Sequence, residues 1–364
     1  MALKAFRCRK CRHRFHKIRF DKSQSKKEKL GALWIVLASL AVIIVVGTMI
    51  SFPNLFPSLN QLRTLTTVKK VDDFPLYEMY YHGDYDFVQF LQKGISAGSR
   101  DSSSARKVDE RWVSTCFSAL NPEGDLILGR NFDWYSRPAL ILFTDPPEGY
   151  ASVSMVDMTY LGYTGDDKLS WADRRKLLDA PYLPLEGMNE CGLAVGMNIV
   201  PYGHAGRDLR KTSIHSLHAI RLMLDYALDL DEAVSLLKNY NIVFAGGYPL
   251  HYLISDAYGA SAIIEFTEDG MVVIRNTEPW QVATNIVFSD TTSGSRCWRY
   301  RKAYESLEQA GGVLLPEEAM DLLKEVSQSD GYPTAWSSVY NMTRGSVQVV
   351  AGRKYESVHE FALR

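Results

Sequence analysis

The sequence predicts a layered α+β domain carried behind one membrane-spanning helix. Three observations predict it: a 22-residue uncharged apolar run at 31–52, a reversal of charge across that run, and strand-like and helical stretches interleaved beyond residue 116. Antiparallel strands separated by helix pairs argue for layers and against a doubly wound parallel sheet.

The run "GALWIVLASLAVIIVVGTMISF" is long enough to cross a hydrocarbon layer of about 30 Å as a helix. A helix is the one choice open to a single span, because lipid offers the backbone no hydrogen bonds. A cleaved signal peptide has a shorter apolar core, about 7–15 residues. Residues 1–30 carry 12 Lys/Arg against Asp21 and Glu28, whereas the remaining 334 residues carry 29 basic and 40 acidic groups. That basic excess predicts a cytoplasmic N-terminus and an extracytoplasmic body. An acidic body argues against nucleic acid as its partner. In the tail, "CRKC" (Cys8, Cys11) with His13 and His16 crowds four metal-ligand types into nine residues, cramped for tetrahedral zinc. A solvated basic tail is the better reading of 1–30, with zinc as its alternative.

Residues 53–115 read as a linker and propeptide-like segment. "FPNLFPSLNQ" is punctuated by proline, the aromatic-rich stretch 72–94 is expected to pack on something, and 95–111, with five serines, reads as an exposed, cuttable loop. The folded domain is expected over 116–364. "CFSAL" and "LILGRN", joined by "NPEGD", read as a hairpin. Further strands are expected at 192–200, 252–256, 261–266 and 271–276, and a second hairpin, "SSVYNM" with "SVQVVAGR", turned at "TRG". Apolar spacing is helical over 212–228, 230–240, 299–310 and 316–326.

The chemistry centres on "STCFSALNPEGDLILGRNFDW", Ser114 to Trp134. A five-residue connection, Asn121–Asp125, sets Cys116 opposite Arg130. Opposed residues share a face, with Cβ atoms about 4.5–5.5 Å apart. A four-residue turn would send Arg130 to the other side. Asp133, three beyond Arg130, needs a bend or bulge to return its carboxylate. Thiol, arginine and carboxylate together form a pocket suited to a thiolate. No base follows from the sequence context of His82, His204, His215, His218, His251 or His359. A cut between Thr115 and Cys116 would supply one, because a free α-amino group titrates near about 7.7–8.0. The alternative is a buried strand thiol. These residues alone leave both readings open.

"CFSALNPEGDLILGRNFDW", "EGMNECGLAVGMN" (186–198), "VATN" (282–285) and "CWRYRKAYESL" (297–307) together resemble the choloylglycine hydrolase family of N-terminal-nucleophile amidases. That family includes bile salt hydrolases, penicillin V acylases and N-acylethanolamine acid amidase. The resemblance runs from about residue 116 to the C-terminus. It implies a four-layer αββα fold, with Cys116 as nucleophile and its freed α-amine as base. Arg130 and Asp133 then hold thiol and amine, Asn198 binds the oxyanion, and Asn285 supports oxyanion and amine. Arg299 matches the arginine of the later helix, with Arg296 as near rival. In having a long segment before the cysteine, the chain is similar to the mammalian amidases, whose internal self-cleavage leaves two associated chains.

The expected protein is therefore a membrane-anchored amidohydrolase of a linear, non-peptide N-acyl amide, needing no cofactor or metal. Its partners are a small-molecule N-acyl amide and the membrane, with self-association left open. Two other classes stay open: a tethered binding module of the same fold, and an acyltransferase using the same thioester. Product analysis with added amine separates the last.

Overall fold

The computed structural model describes residues 2–7, 14–19, 30–31, 33–40, 57–95, 114–135, 138–165, 168–290 and 297–363. The chain divides into two units, Met1–Ser58 and Leu59–Arg364.

In the first unit, strands Ala2–Arg7 and Arg14–Arg19 pair antiparallel, Arg7 opposite Arg14. Part of the tail read as solvated is thus a hairpin; Cys8, Cys11 and His13 lie outside the described residues. Residues 30–31 and 33–40 are helical, and Trp34 and Ile35 among them are exposed. Among the described residues no helix is long and apolar enough to cross a membrane. The greater part of the expected 31–52 span falls outside them.

Among the described residues the second unit holds two large sheets and one two-stranded sheet. The nine-stranded sheet runs, edge to edge, Gly270–Arg275, Ser261–Thr267, Leu250–Ser255, Ala194–Ile199, Glu186–Asn189, Ser152–Asp157, Ala139–Thr144, Leu76–Tyr81 and Lys69–Asp72. Every neighbour is antiparallel except Leu76–Tyr81 beside Ala139–Thr144. The six-stranded sheet is antiparallel throughout: Gln281–Ala283, Ser114–Leu120, Leu126–Asp133, Thr334–Asn341, Ser346–Ala351 and His359–Ala362. Helices Trp298–Gln309 and Pro316–Glu325 pack on the outer face of the six-stranded sheet, and Ser216–Tyr226 packs on the nine-stranded one. The two large sheets face each other, completing α, β, β and α layers.

Sequence pattern explains which elements were legible. Ala139–Thr144 and Ser152–Asp157 are buried at all six positions. A strand covered on both faces shows no period-2 alternation, so neither stood out in the sequence. The helix expected from 212 begins at Ser216; Thr212–His215 instead pairs in parallel with Tyr240–Val243. The β-branched Thr212 and Ile214 suit that extended backbone.

From Leu59 on, the described part of the linker and propeptide-like segment is built into the second unit. Leu76–Tyr81 is an inner strand of the nine-stranded sheet. The Tyr85 hydroxyl donates to the Asp225 carboxylate at 2.7 Å, and Arg221 Nη1 meets that carboxylate at 3.0 Å. Arg221, fully buried, also donates to the Pro181 carbonyl at 2.7 Å and the Ser152 hydroxyl at 2.8 Å. The Ser-rich stretch 96–113 lies outside the described residues.

Gly129 sits directly across from Phe117 in the central hairpin, and a Cβ there would stand 2.3 Å from the Phe117 ring. Gly129→Ala is therefore expected to destabilise the protein by about 1–3 kcal/mol, the range for overpacked cores. Urea denaturation of both proteins measures it.

Candidate active site

The turn Asn121–Asp125 has the five residues its sequence predicts. Gly124 takes φ +82°, a left-handed conformation that glycine adopts without a Cβ penalty. The Asn121 side chain accepts from the Asp125 N–H at 2.7 Å and closes the loop. The resulting register sets Cys116 opposite Arg130 and Leu120 opposite Leu126. On the facing sheet stands Gly196, where a Cβ would be 2.7 Å from the Cys116 sulfur and 3.0 Å from Arg130 Cδ. The missing side chain is what lets the sheets close over the thiol.

Arg130 is fully buried, and its two terminal nitrogens donate to the Glu186 carboxylate and the Met197 carbonyl. Glu186 also accepts from the Ser338 hydroxyl and, at 3.2 Å, from Tyr340. Glu186 stands inside a recognised motif, yet the sequence assigned it no role. A carboxylate opening a buried strand was the available signal, since unpaired charge is not left in a core.

Asp133 ends its strand, where the pairing with Thr334–Asn341 slips between Thr334 and Trp336. The irregularity expected near Asp133 thus lies in this pairing. Its Oδ1 accepts from the Thr334 hydroxyl at 2.5 Å, and its buried Oδ2 has no hydrogen-bond partner. Ser114, Arg130, Asp133, Met197, Ile199 and Asn285 share one narrow cleft.

Arg299 projects from the first turn of its helix onto the residues just before the cysteine. Its Nη1 donates to the Ser114 carbonyl at 2.5 Å and the Thr115 hydroxyl at 3.0 Å; its Nη2 donates to Asn285 Oδ1 at 3.1 Å. Asn285 Oδ1 accepts from the Ser114 N–H at 2.5 Å, while its Nδ2 donates to the Ile199 carbonyl at 2.7 Å. Arg299 Nη1 lies 3.9 Å from Asp133 Oδ2. Five of the six residues named from the sequence thus gather around Ser114–Cys116. The sixth, Asn198, is two residues beyond Gly196 on the same strand, fully buried, with both amide atoms unpartnered. Arg296 lies outside the described residues.

Burial pushes the Cys116 thiol up to about 12, against the pull of the Arg130 guanidinium. Burial likewise raises the Asp133 carboxyl to about 7, against the attraction of Arg299. With Thr115–Cys116 continuous, the thiol is neutral and sealed. Among the described residues no group of His, Cys, Asp and Glu could hold a metal ion.

Two facing sheets between helix layers, with a buried cysteine on an inner strand, define a mixed α/β fold of the N-terminal-nucleophile hydrolase kind. The model of the linear amide C–N hydrolases, choloylglycine hydrolase family, matches residues 115–287. The fold is similar to that of a conjugated bile acid hydrolase variant from Clostridium perfringens, at TM-score 0.52 and 17% identity over 69% of this chain and 92% of that one. It is similar also to penicillin V acylase from Agrobacterium tumefaciens, at TM-score 0.50 and 18% identity over 68% and 86%. No curated protein sequence matches. Over residues 115–287, just under half of its length, the chain matches the choloylglycine hydrolase family, whose members are hydrolases of linear amide C–N bonds.

Asp133 gives the intact chain a pH signature. Its carboxyl titrates near 7 when folded against 3.8 in its ordinary state. The folded chain therefore holds a proton that the unfolded chain releases, and this contribution is lost as pH rises from about 4 through 7. Asp133→Asn carries no such charge, so on a Cys116→Ala background its melting temperature should gain on the parent as pH rises across that window. A difference that does not change with pH would refute the assignment.

Proposed function

We propose that the protein is a membrane-anchored cysteine amidohydrolase that acts on a linear N-acyl amide outside the cytoplasm, after a cut before Cys116. One observation carries the reading: Asn285 and Arg299 hold Ser114 and Thr115, the two residues directly ahead of the sulfur. A strand thiol with only a packing role has no need of a buried arginine and an asparagine gripping the peptide before it.

In the self-cleavage step, the Cys116 sulfur attacks the Thr115 carbonyl, the Thr115–Cys116 C–N bond breaks, and a thioester forms. Water then hydrolyses the thioester, leaving a Thr115 carboxylate and a free Cys116 α-amine. That amine takes the thiol proton and supplies the base. The free Oδ2 of Asp133 is suited to accept from the resulting α-ammonium. In turnover the thiolate adds to the substrate carbonyl, and Asn198 and Asn285 donate to the oxyanion. The α-ammonium protonates the departing amine, and water clears the acyl thioester. Removing one such oxyanion donor costs about 2.7–4 kcal/mol of barrier.

Sequence supports the anchor: an uncharged 22-residue run behind a strongly basic lead-in. Exposed Leu33, Trp34, Ile35 and Val36 in its described part suit a lipid environment. A tether beside the bilayer favours lipid-like acyl groups.

Intact mass of the wild-type protein is expected to reveal a fragment beginning at Cys116. Cys116→Ala should stay one chain and be inactive, whereas Cys116→Ser cuts slowly and loses most turnover. A cut Cys116→Ala product would refute self-processing.

A further inference from the structure

A second polar cluster lies beside Asn198. His251 is directly opposite Asn198 on the adjacent antiparallel strand, so their side chains share a face. It is the face that Gly196, two residues back, turns toward the Cys116 sulfur. His251 is fully buried, and its Nδ1 meets Glu265 Oε1 at 3.4 Å. Glu265 is itself fixed, accepting from the Phe288 N–H at 2.6 Å and the Ser289 N–H at 2.9 Å. Burial opposes ionisation of Glu265, but the bonds from His251 and the two N–H groups hold it down at about 2. It is a carboxylate at neutral pH and faces His251 Nδ1 as an acceptor.

His251 Nε2 is buried and without a partner. Asn198 Nδ2 and Oδ1 are unpartnered in the same interior. Opposed Cβ atoms stand about 4.5–5.5 Å apart, and the terminal torsion of asparagine is soft, which brings the two side chains within reach of each other. A buried donor and a buried acceptor left unmatched are each costly.

We propose that His251, held by Glu265, is a positioning residue that accepts one Asn198 Nδ2–H and so aims the other at the substrate oxyanion. The inference rests on the amidase reading, in which Asn198 is an oxyanion donor. A carboxamide has two N–H bonds in a fixed plane, so anchoring one sets the direction of the other. Catalytic benefit comes from donors aimed before charge develops. Among the extracytoplasmic histidines of the reading above, none suggested a base from its sequence context; in this assignment His251 moves no substrate proton.

His251 also borders a cavity of about 240 Å³, with Val200, Tyr202, Leu250 and Val287 in its wall. Direct contact with a substrate group there is the competing role, and kinetics separate the two. With the full chain and a long-chain N-acyl nitroanilide as probe, His251→Phe should lower kcat about tenfold to a hundredfold, a fraction of the loss of a whole donor, with KM unchanged. His251→Gln, which restores an acceptor, should recover part of it. In an Asn198→Ala background, His251→Phe should cost nothing further. An equal loss in that background, or an effect confined to KM, overturns the proposal. A wild-type protein that hydrolyses no N-acyl amide instead sinks the amidase reading. A measurement without substrate decides independently: the nitrogen resonances of labelled His251 should report a proton on Nδ1, and Asn198→Ala should shift Nε2. An unmoved Nε2 resonance refutes the pairing.

Discussion

The close approach of two strands at Gly196 is the constraint on which the site depends. A methyl group there would stand within 2.7 Å of the Cys116 sulfur, well inside contact distance. Because glycine leaves that space, the nine-stranded sheet lies directly on the thiol, on Arg130 and on the residues that grip them. The same closure excludes water, which is why the thiol is driven toward its neutral form. On the proposed reading, reactivity comes from a change in the chain itself, a base generated on the cysteine.

Around that contact the protein buries charge in matched groups. Arg130 is balanced by Glu186, and Glu186 by two hydroxyls besides. Arg299 satisfies three acceptors, all on Ser114, Thr115 and Asn285. Removing one partner from such a group leaves an uncompensated buried charge, at a cost of about 3–5 kcal/mol. These networks therefore fix geometry more than they add stability, and they fix it where chemistry is proposed. Asn198 and His251, like Asp133 at its Oδ2, keep buried polar atoms without a hydrogen-bond partner.

The segment ahead of residue 116 belongs to the same structure. Leu76–Tyr81 is hydrogen-bonded along its length to Ala139–Thr144, and Tyr85 closes on the Arg221–Asp225 pair. A chain opened between Thr115 and Cys116 would keep its upstream piece through this ladder, because these bonds join residues on the two sides of the opened peptide.

How much was legible follows from what each signal measures. The turn "NPEGD" determined the register of its hairpin by its length alone, so Cys116 opposite Arg130 could be read in one dimension. Helices at 230–240, 299–310 and 316–326 were legible because each buries one stripe against a sheet, and that stripe leaves a 3.6-residue period. Strands buried on both faces leave no such trace, which hid Ala139–Thr144 and Ser152–Asp157. Short motifs marked Asn285 and Arg299, but not that both seize Ser114. Nor could the sequence alone place His251 against Asn198, or Glu186 under Arg130: those pairs are more than fifty residues apart, the first meeting only when two strands of one sheet pair and the second only when two sheets stack. Local turn geometry and periodicity were thus written in the chain, whereas the pairing of buried charges was decided by packing between layers, where distance along the chain carries no information.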